Sequence, residues 1–162
     1  MAAVDYFLKI DGIEGESTDS KHKGEIDIQS FSFGVSQLGS HAGGGGGGGS
    51  GKASFQDLHF TTNVSKASPK LMLACATGEH IKKAVLTVRK AGTDQQEYMK
   101  VTLEELLVSS YQDGGHEGSV FPSDQFALNF AKIEFDYKEQ KSDGTLGGSV
   151  KTGYDVKANK KV

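Results

Sequence analysis

The chain has 162 residues, 36% of them hydrophobic and 24% charged, which suits one soluble domain, residues 1–162, with a single core. Its 18 basic and 21 acidic residues give a formal net charge of -3, so the general basic surplus that drives nucleic-acid binding is missing. No stretch approaches the roughly 18 apolar residues of a transmembrane helix, and Asp5 and Lys9 interrupt the start where a secretory signal needs an apolar run.

Period-2 alternation dominates, which points to strands. Tyr6, Leu8 and Ile10 share one parity, with Phe7 and Lys9 opposite. Ile26 and Ile28 are even-numbered, whereas Phe31, Phe33 and Val35 are odd. That one-residue change of phase predicts a bulge or bend near Gln29 and Ser30. It also sets Phe31, Phe33 and Val35 toward the core and Ser32 away from it.

Residues 36–54 form a Gly-rich loop. Gly43, Gly44, Gly45, Gly46, Gly47, Gly48 and Gly49 are uninterrupted, with Gly39 and His41 before them and Ser50, Gly51 and Lys52 after. Glycine loses the most backbone entropy on ordering, so the segment is expected to be mobile in an isolated subunit. Gly46 to Lys52 matches most of a phosphate-binding loop. However, Ala53 stands where a Ser or Thr would reach magnesium, and the alternation after it predicts a strand where that motif needs a helix. Nucleotide binding is therefore rejected and no cofactor is expected.

A short helix is signalled by Ser68 as N-cap, Pro69 in the first turn and Gly78 as a left-handed C-cap. Leu71, Ala74 and Cys75 fall on its inner face. Ala84 to Lys90 reads as a strand with Val85 and Thr87 facing away from Leu86 and Val88. For Glu97 to Ser109 the alternation of Met99, Val101, Leu103 and Leu107 competes with a capping box at Thr102 to Glu105, and strand is preferred for its β-branched and aromatic content. Phe126, Leu128 and Phe130 are even and Ile133, Phe135 and Tyr137 odd, a second change of face. Val150 to Val156 is the last strand. Two long strands that each change face predict a mainly β fold: a closed β-barrel of two antiparallel sheets with one flanking helix.

No catalytic or metal constellation emerges. His22, His41, His59, His80 and His116 lack metal-ligand spacing and read as surface-loop residues. Cys75, the one cysteine, rules out an internal disulfide, fits a reducing compartment, and reads as a small core residue. Glu104 and Glu105 are adjacent and point to opposite faces of a strand, so they cannot work as an acid–base pair. Lys157, Lys160 and Lys161 read as a solvated tail. The remaining readings are a subunit that works by assembling with itself, a stand-alone barrel holding a small ligand such as a sugar or lipid, and a hydrolase with an unrecognised site.

Several blocks carry a resemblance over essentially the whole length: DYFLKIDGIEGESTDSKHKGEIDIQSFSFGVSQ, FQDLHF, SPKLMLACATGEH, VLTVRKAG, VTLEELLVSS, LNFAKIEFDYKEQKSDGTLGG and GYDVKAN. In order and spacing they resemble the haemolysin-coregulated protein (Hcp) family, the inner-tube subunit of the bacterial type VI secretion system. The resemblance implies a barrel with one helix, a homohexameric ring, and rings stacked into a tube. It further implies ejection of that tube from the cytoplasm without a cleaved signal peptide, and contacts with sheath, spike and effector proteins. Neither membrane insertion nor enzymatic activity is implied. Ser32 would face the lumen and its effectors, and the segment Gly39 to Lys52 would mediate ring stacking. The family often carries tryptophans where Phe31 and Phe33 stand.

Overall fold

The computed structural model describes residues 3–39, 52–92 and 94–162. In chain order the elements are β1 (Val4–Ile10), β2 (Ile26–Ile28), β3 (Ser30–Ser32), β4 (Val35–Ser36), β5 (Ser54–Phe55), β6 (Leu58–Asn63), α1 (Ala67–Thr77), β7 (Ile81–Lys90), β8 (Glu97–Gly114), β9 (Ser123–Gln140), β10 (Leu146–Asp155) and β11 (Lys160–Lys161). The fold is mainly β, with antiparallel pairing throughout and one short helix.

Nine strands share one sheet in the order β11-β10-β9-β8-β7-β1-β2, with β6 joined to β9 and β3 to β6. β4 and β5 form a separate ribbon that clamps the base of the Gly-rich loop, pairing Val35 with Phe55 and Ser36 with Ser54. As a ladder this is one branched sheet, where the sequence pattern called for two sheets closed as a barrel. The branch comes from β9: β8 pairs along most of one edge, while the other edge carries β6 from Ser123 to Leu128 and β10 beyond Lys132.

Both predicted changes of face occur. Gln29 separates β2 from β3, and its N–H donates to Thr61 O at 2.9 Å. In β9 burial moves from Phe126, Leu128 and Phe130 to Ile133. β8 changes face at the same level, from Val101 and Leu103 to Leu106 and Val108. At that level Glu105 takes a left-handed φ of 51°, a twist that L-residues rarely adopt. Leu107, read as part of the buried row, is accordingly only half-buried and Leu106 replaces it. Val35 also departs from expectation. The strand breaks after Ser32, and Val35 lies 59% exposed on the β4–β5 ribbon.

Helix α1 ends as expected: Gly78 adopts φ 64°, and the N–H of Glu79 donates to Ala74 O at 3.1 Å. Its start differs. Lys66 occupies the N-cap without a side-chain bond, and Ser68 lies inside the first turn. Ser68 Oγ accepts from Ser65 N at 2.9 Å and donates to Asp124, a fully buried carboxylate on β9. Tyr111 OH donates to the other oxygen of Asp124 at 2.8 Å. A buried carboxylate needs such donors, and here they pin the helix to the sheet.

Candidate functional site

Ser32 lies on β3 opposite His59 of β6, which pairs in turn with Ala127 of β9, itself opposite Ser110 of β8. One rung away, Ser30, Thr61, Gln125 and Gln112 face one another in the same way. Paired residues on neighbouring strands share a face, so Ser32 belongs to a row of small and polar side chains. Ser32, His59, Ser110, Gln112 and Gln125 are exposed. The next residues along each strand point inward. Phe60 stacks on Phe126 at 5.1 Å, and Phe31 meets Tyr6 edge-on at 5.2 Å. The sheet thus has a packed aromatic face and a polar one, and His59, Thr61, Ser110, Gln112 and Gln125 of the polar face line a hollow of about 320 Å³ together with Phe60, Tyr111 and Phe126. Parity alone placed Ser32 on the outer face; its neighbours become visible only through the pairing of strands far apart in the sequence.

Beside the β4–β5 ribbon lies an apolar concavity of about 430 Å³ lined by Phe33, Phe55, Phe135 and Tyr154, with Val35 at its rim. Its rings touch: Phe33 and Phe135 lie 5.7 Å apart, Phe55 and Tyr154 5.3 Å. Of the expected stacking segment, Gly39 and Lys52 are described, and both are exposed. His41, Gly43 to Gly49, Ser50 and Gly51 lie outside the described residues.

The strongest electrostatics sit at the other end of the sheet. Residues 11–25 fold back over Phe7, Thr87 and Arg89, the face of β1 and β7 turned away from Leu8, Leu86 and Val88. Arg89 is 2% exposed. Its Nη1 and Nη2 donate to Asp19 at 3.0 and 2.5 Å, its Nε and Nη2 to Asp5 at 3.3 and 3.2 Å, and its guanidinium lies 4.7 Å from the Phe7 ring centre. The hydrogen bond from Arg89 holds Asp19 at about 2, against the opposing effect of burial. His22 is buried as well and stacks on Phe7 at 4.4 Å. This corrects the expectation of a surface-loop histidine. Period-2 reading treats residues 11–25 as connection and carries no signal that they form a cover.

Elsewhere, Asp113 stands opposite Asp124 in register, and contact with that carboxylate raises its affinity for a proton. Burial and the bond to Asp124 push the Tyr111 hydroxyl up to about 12. Among the described residues no group of three or more His, Cys, Asp or Glu side chains could hold a metal ion. No helix among them is long and apolar enough to cross a membrane.

Residues 7–137 match the family described as type VI secretion system effector, Hcp. The chain is 48% identical over 159 residues to protein Hcp1 of Pseudomonas aeruginosa, covering 97% of this chain and 98% of that one. Among solved structures, Hcp1 from Salmonella typhimurium aligns with a TM-score of 0.84 at 36% identity, over 99% of this chain and 100% of that one. A structure described as a type six secretion system protein aligns with a TM-score of 0.93 at 30% identity, again over 99% and 100%. Shared sequence over nearly the full length, on the same fold, means that this chain belongs to the Hcp family of the type VI secretion system.

Proposed function

We propose that the chain is a structural subunit of the type VI inner tube, one domain over residues 1–162. Six copies close into a ring, rings stack, and the tube leaves the bacterial cytoplasm without a cleaved signal peptide, carrying effectors in its lumen. Family membership over residues 7–137 is the observation that carries this reading. A ring needs contacts repeated with a fixed rotation, and the open concavity of Phe33, Phe55, Phe135 and Tyr154 supplies apolar surface of the kind such contacts bury. Barrel-like closure of the sheet belongs to the same reading. It is supported at the Gln29 corner, where Thr62 Oγ1 donates to Asp27 O at 2.5 Å beside the bond from Gln29 N to Thr61 O.

In this account Ser32 and its polar row form the lumen wall that meets effectors, and Gly39 to Lys52 mediates stacking. The sheath and spike are the other partners, and the subunit has no catalytic role, nucleic-acid partner or membrane-inserted state. Negative-stain electron micrographs of the purified chain test the reading. Six-fold rings support it, and isolated small particles at micromolar concentration overturn it. The apolar concavity favours one second reading, a stand-alone module for a small apolar ligand, because its size falls in the range of ligand pockets. That module would be monomeric.

A further inference from the structure

His22 sits between two carboxylates. Its Nδ1 lies 2.8 Å from Glu25 Oε2, and its Nε2 lies 2.7 Å from Glu97 Oε1. Carboxylates only accept, and a neutral imidazole carries one N–H, so both contacts are hydrogen bonds only when the three groups together hold one extra proton. The imidazolium flanked by two carboxylates is the form that satisfies both. The three side chains are 8%, 13% and 28% exposed in the order His22, Glu25, Glu97, so water does not substitute freely for a lost partner.

The two contacts differ in reach. Glu25 is three residues away in the same connection, whereas Glu97 opens β8, 75 residues on. Within the connection the backbone closes on itself, with Gly15 N donating to Gly24 O at 2.8 Å and Gly24 N to Ser17 O at 2.9 Å. Among the described residues, two polar side chains then tie that unit to the strands. One is Asp19, bound to Arg89 of β7; the other is His22. An arginine keeps its charge at any pH a protein survives, while histidine is the side chain that changes charge in the range where cells and their surroundings differ. The other charged groups around the ring are Lys100, whose Nζ is 3.6 Å from Glu97 Oε2, Asp19, whose Oδ1 accepts from His22 N at 3.2 Å, and Arg89 and Asp5 across Phe7.

We propose that His22 is a proton-operated clasp: the imidazolium shared by Glu25 and Glu97 fastens residues 11–25 to the start of β8, and loss of the proton releases that fastening. The Glu97 contact is the one that opens, because Glu97 is the more exposed carboxylate and has Lys100 as an alternative partner. Both contacts are hydrogen bonds while the ring carries two N–H groups, and one of them is forfeited when a single N–H remains. This inference does not depend on the ring-and-tube reading.

The test uses the full-length chain. Nitrogen and proton NMR of the His22 ring is recorded across roughly pH 5 to 9, alongside hydrogen exchange of the amides of residues 15–25, corrected for intrinsic rates. The expected result is a doubly protonated ring at the acid end and about a tenfold loss of protection in residues 15–25 as the second proton leaves, with Leu86 and Val101 unchanged. Glu97→Gln, which keeps the shape of the acceptor and removes its charge, should abolish most of that step. The proposal is overturned by a ring that holds a single N–H throughout, by titration that leaves the protection of residues 15–25 unchanged, or by a Glu97→Gln chain that retains the full step.

Discussion

Replacing Arg89 by methionine keeps an unbranched apolar stem while removing the guanidinium, its ion pairs and its contact with the Phe7 ring. The loss is computable from Asp19. Arg89 is the largest of the causes, with the Lys21 and His22 amides behind it, that hold this carboxyl at about 2 where 3.8 is ordinary, a shift of roughly 2 kcal/mol at ~1.4 kcal/mol per tenfold change in proton affinity. Water reaching the open side of Asp19 reduces this to about 1–2 kcal/mol. The variant also leaves Asp5 and Asp19 facing each other without their cation, which brings the expected cost to about 2–3 kcal/mol near pH 6. Because the folded-state value is lowered, the Arg89–Asp19 contribution is present above about pH 4 and is lost as pH falls through about 2. Urea denaturation of parent and variant at one fixed protein concentration, from pH 6 downward, reads this directly. A variant as stable as the parent at pH 6, or a gap that fails to narrow in acid, would refute the reasoning.

A methyl group at Gly15 would meet Glu25 O at 2.6 Å and Ile26 Cα at 2.7 Å, both rigid backbone. Gly15→Ala should therefore cost about 1–3 kcal/mol and lower the melting temperature by several degrees, as calorimetry would show. Asp113 binds its proton more tightly in the fold because of Asp124, so its contribution is present in acid and lost as pH rises. Asp113→Asn should raise the melting temperature at pH 7 and have little effect near pH 3, as calorimetry at the two pH values would show. Ser32→Gln, at an exposed position, should leave melting unchanged but lower the amount of effector that co-purifies with the rings; equal yields would place Ser32 off the cargo surface. Removing four residues from the glycine run should shift melting by no more than about 2 °C, since closure entropy varies only with the logarithm of loop length, yet reduce the tubes counted in micrographs.

Apolar parity made much of the sheet legible. Ile26 and Ile28 against Phe31 and Phe33 located the Gln29 corner, and Phe130 against Ile133 located the turn of face in β9. The cause of that second turn was hidden, because a glutamate at φ 51° has no sequence signature. Gly78 was readable as a helix stop since its role is local. Ser68 was misread as a cap because its hydroxyl serves Asp124, 56 residues away. The same non-locality hid His22 and Arg89, whose burial arises only when residues 11–25 fold over β1 and β7. Of the candidate site, strand parity disclosed that Ser32 faces away from the core, but the polar row around it depends on the pairing of β3, β6, β9 and β8.

The central claim is assembly into a closed ring of six. Multi-angle light scattering of the purified chain at micromolar concentration measures it most directly. Six copies of the 17.2 kDa chain predict a species of about 103 kDa. A single species of 17.2 kDa across that range would contradict the account.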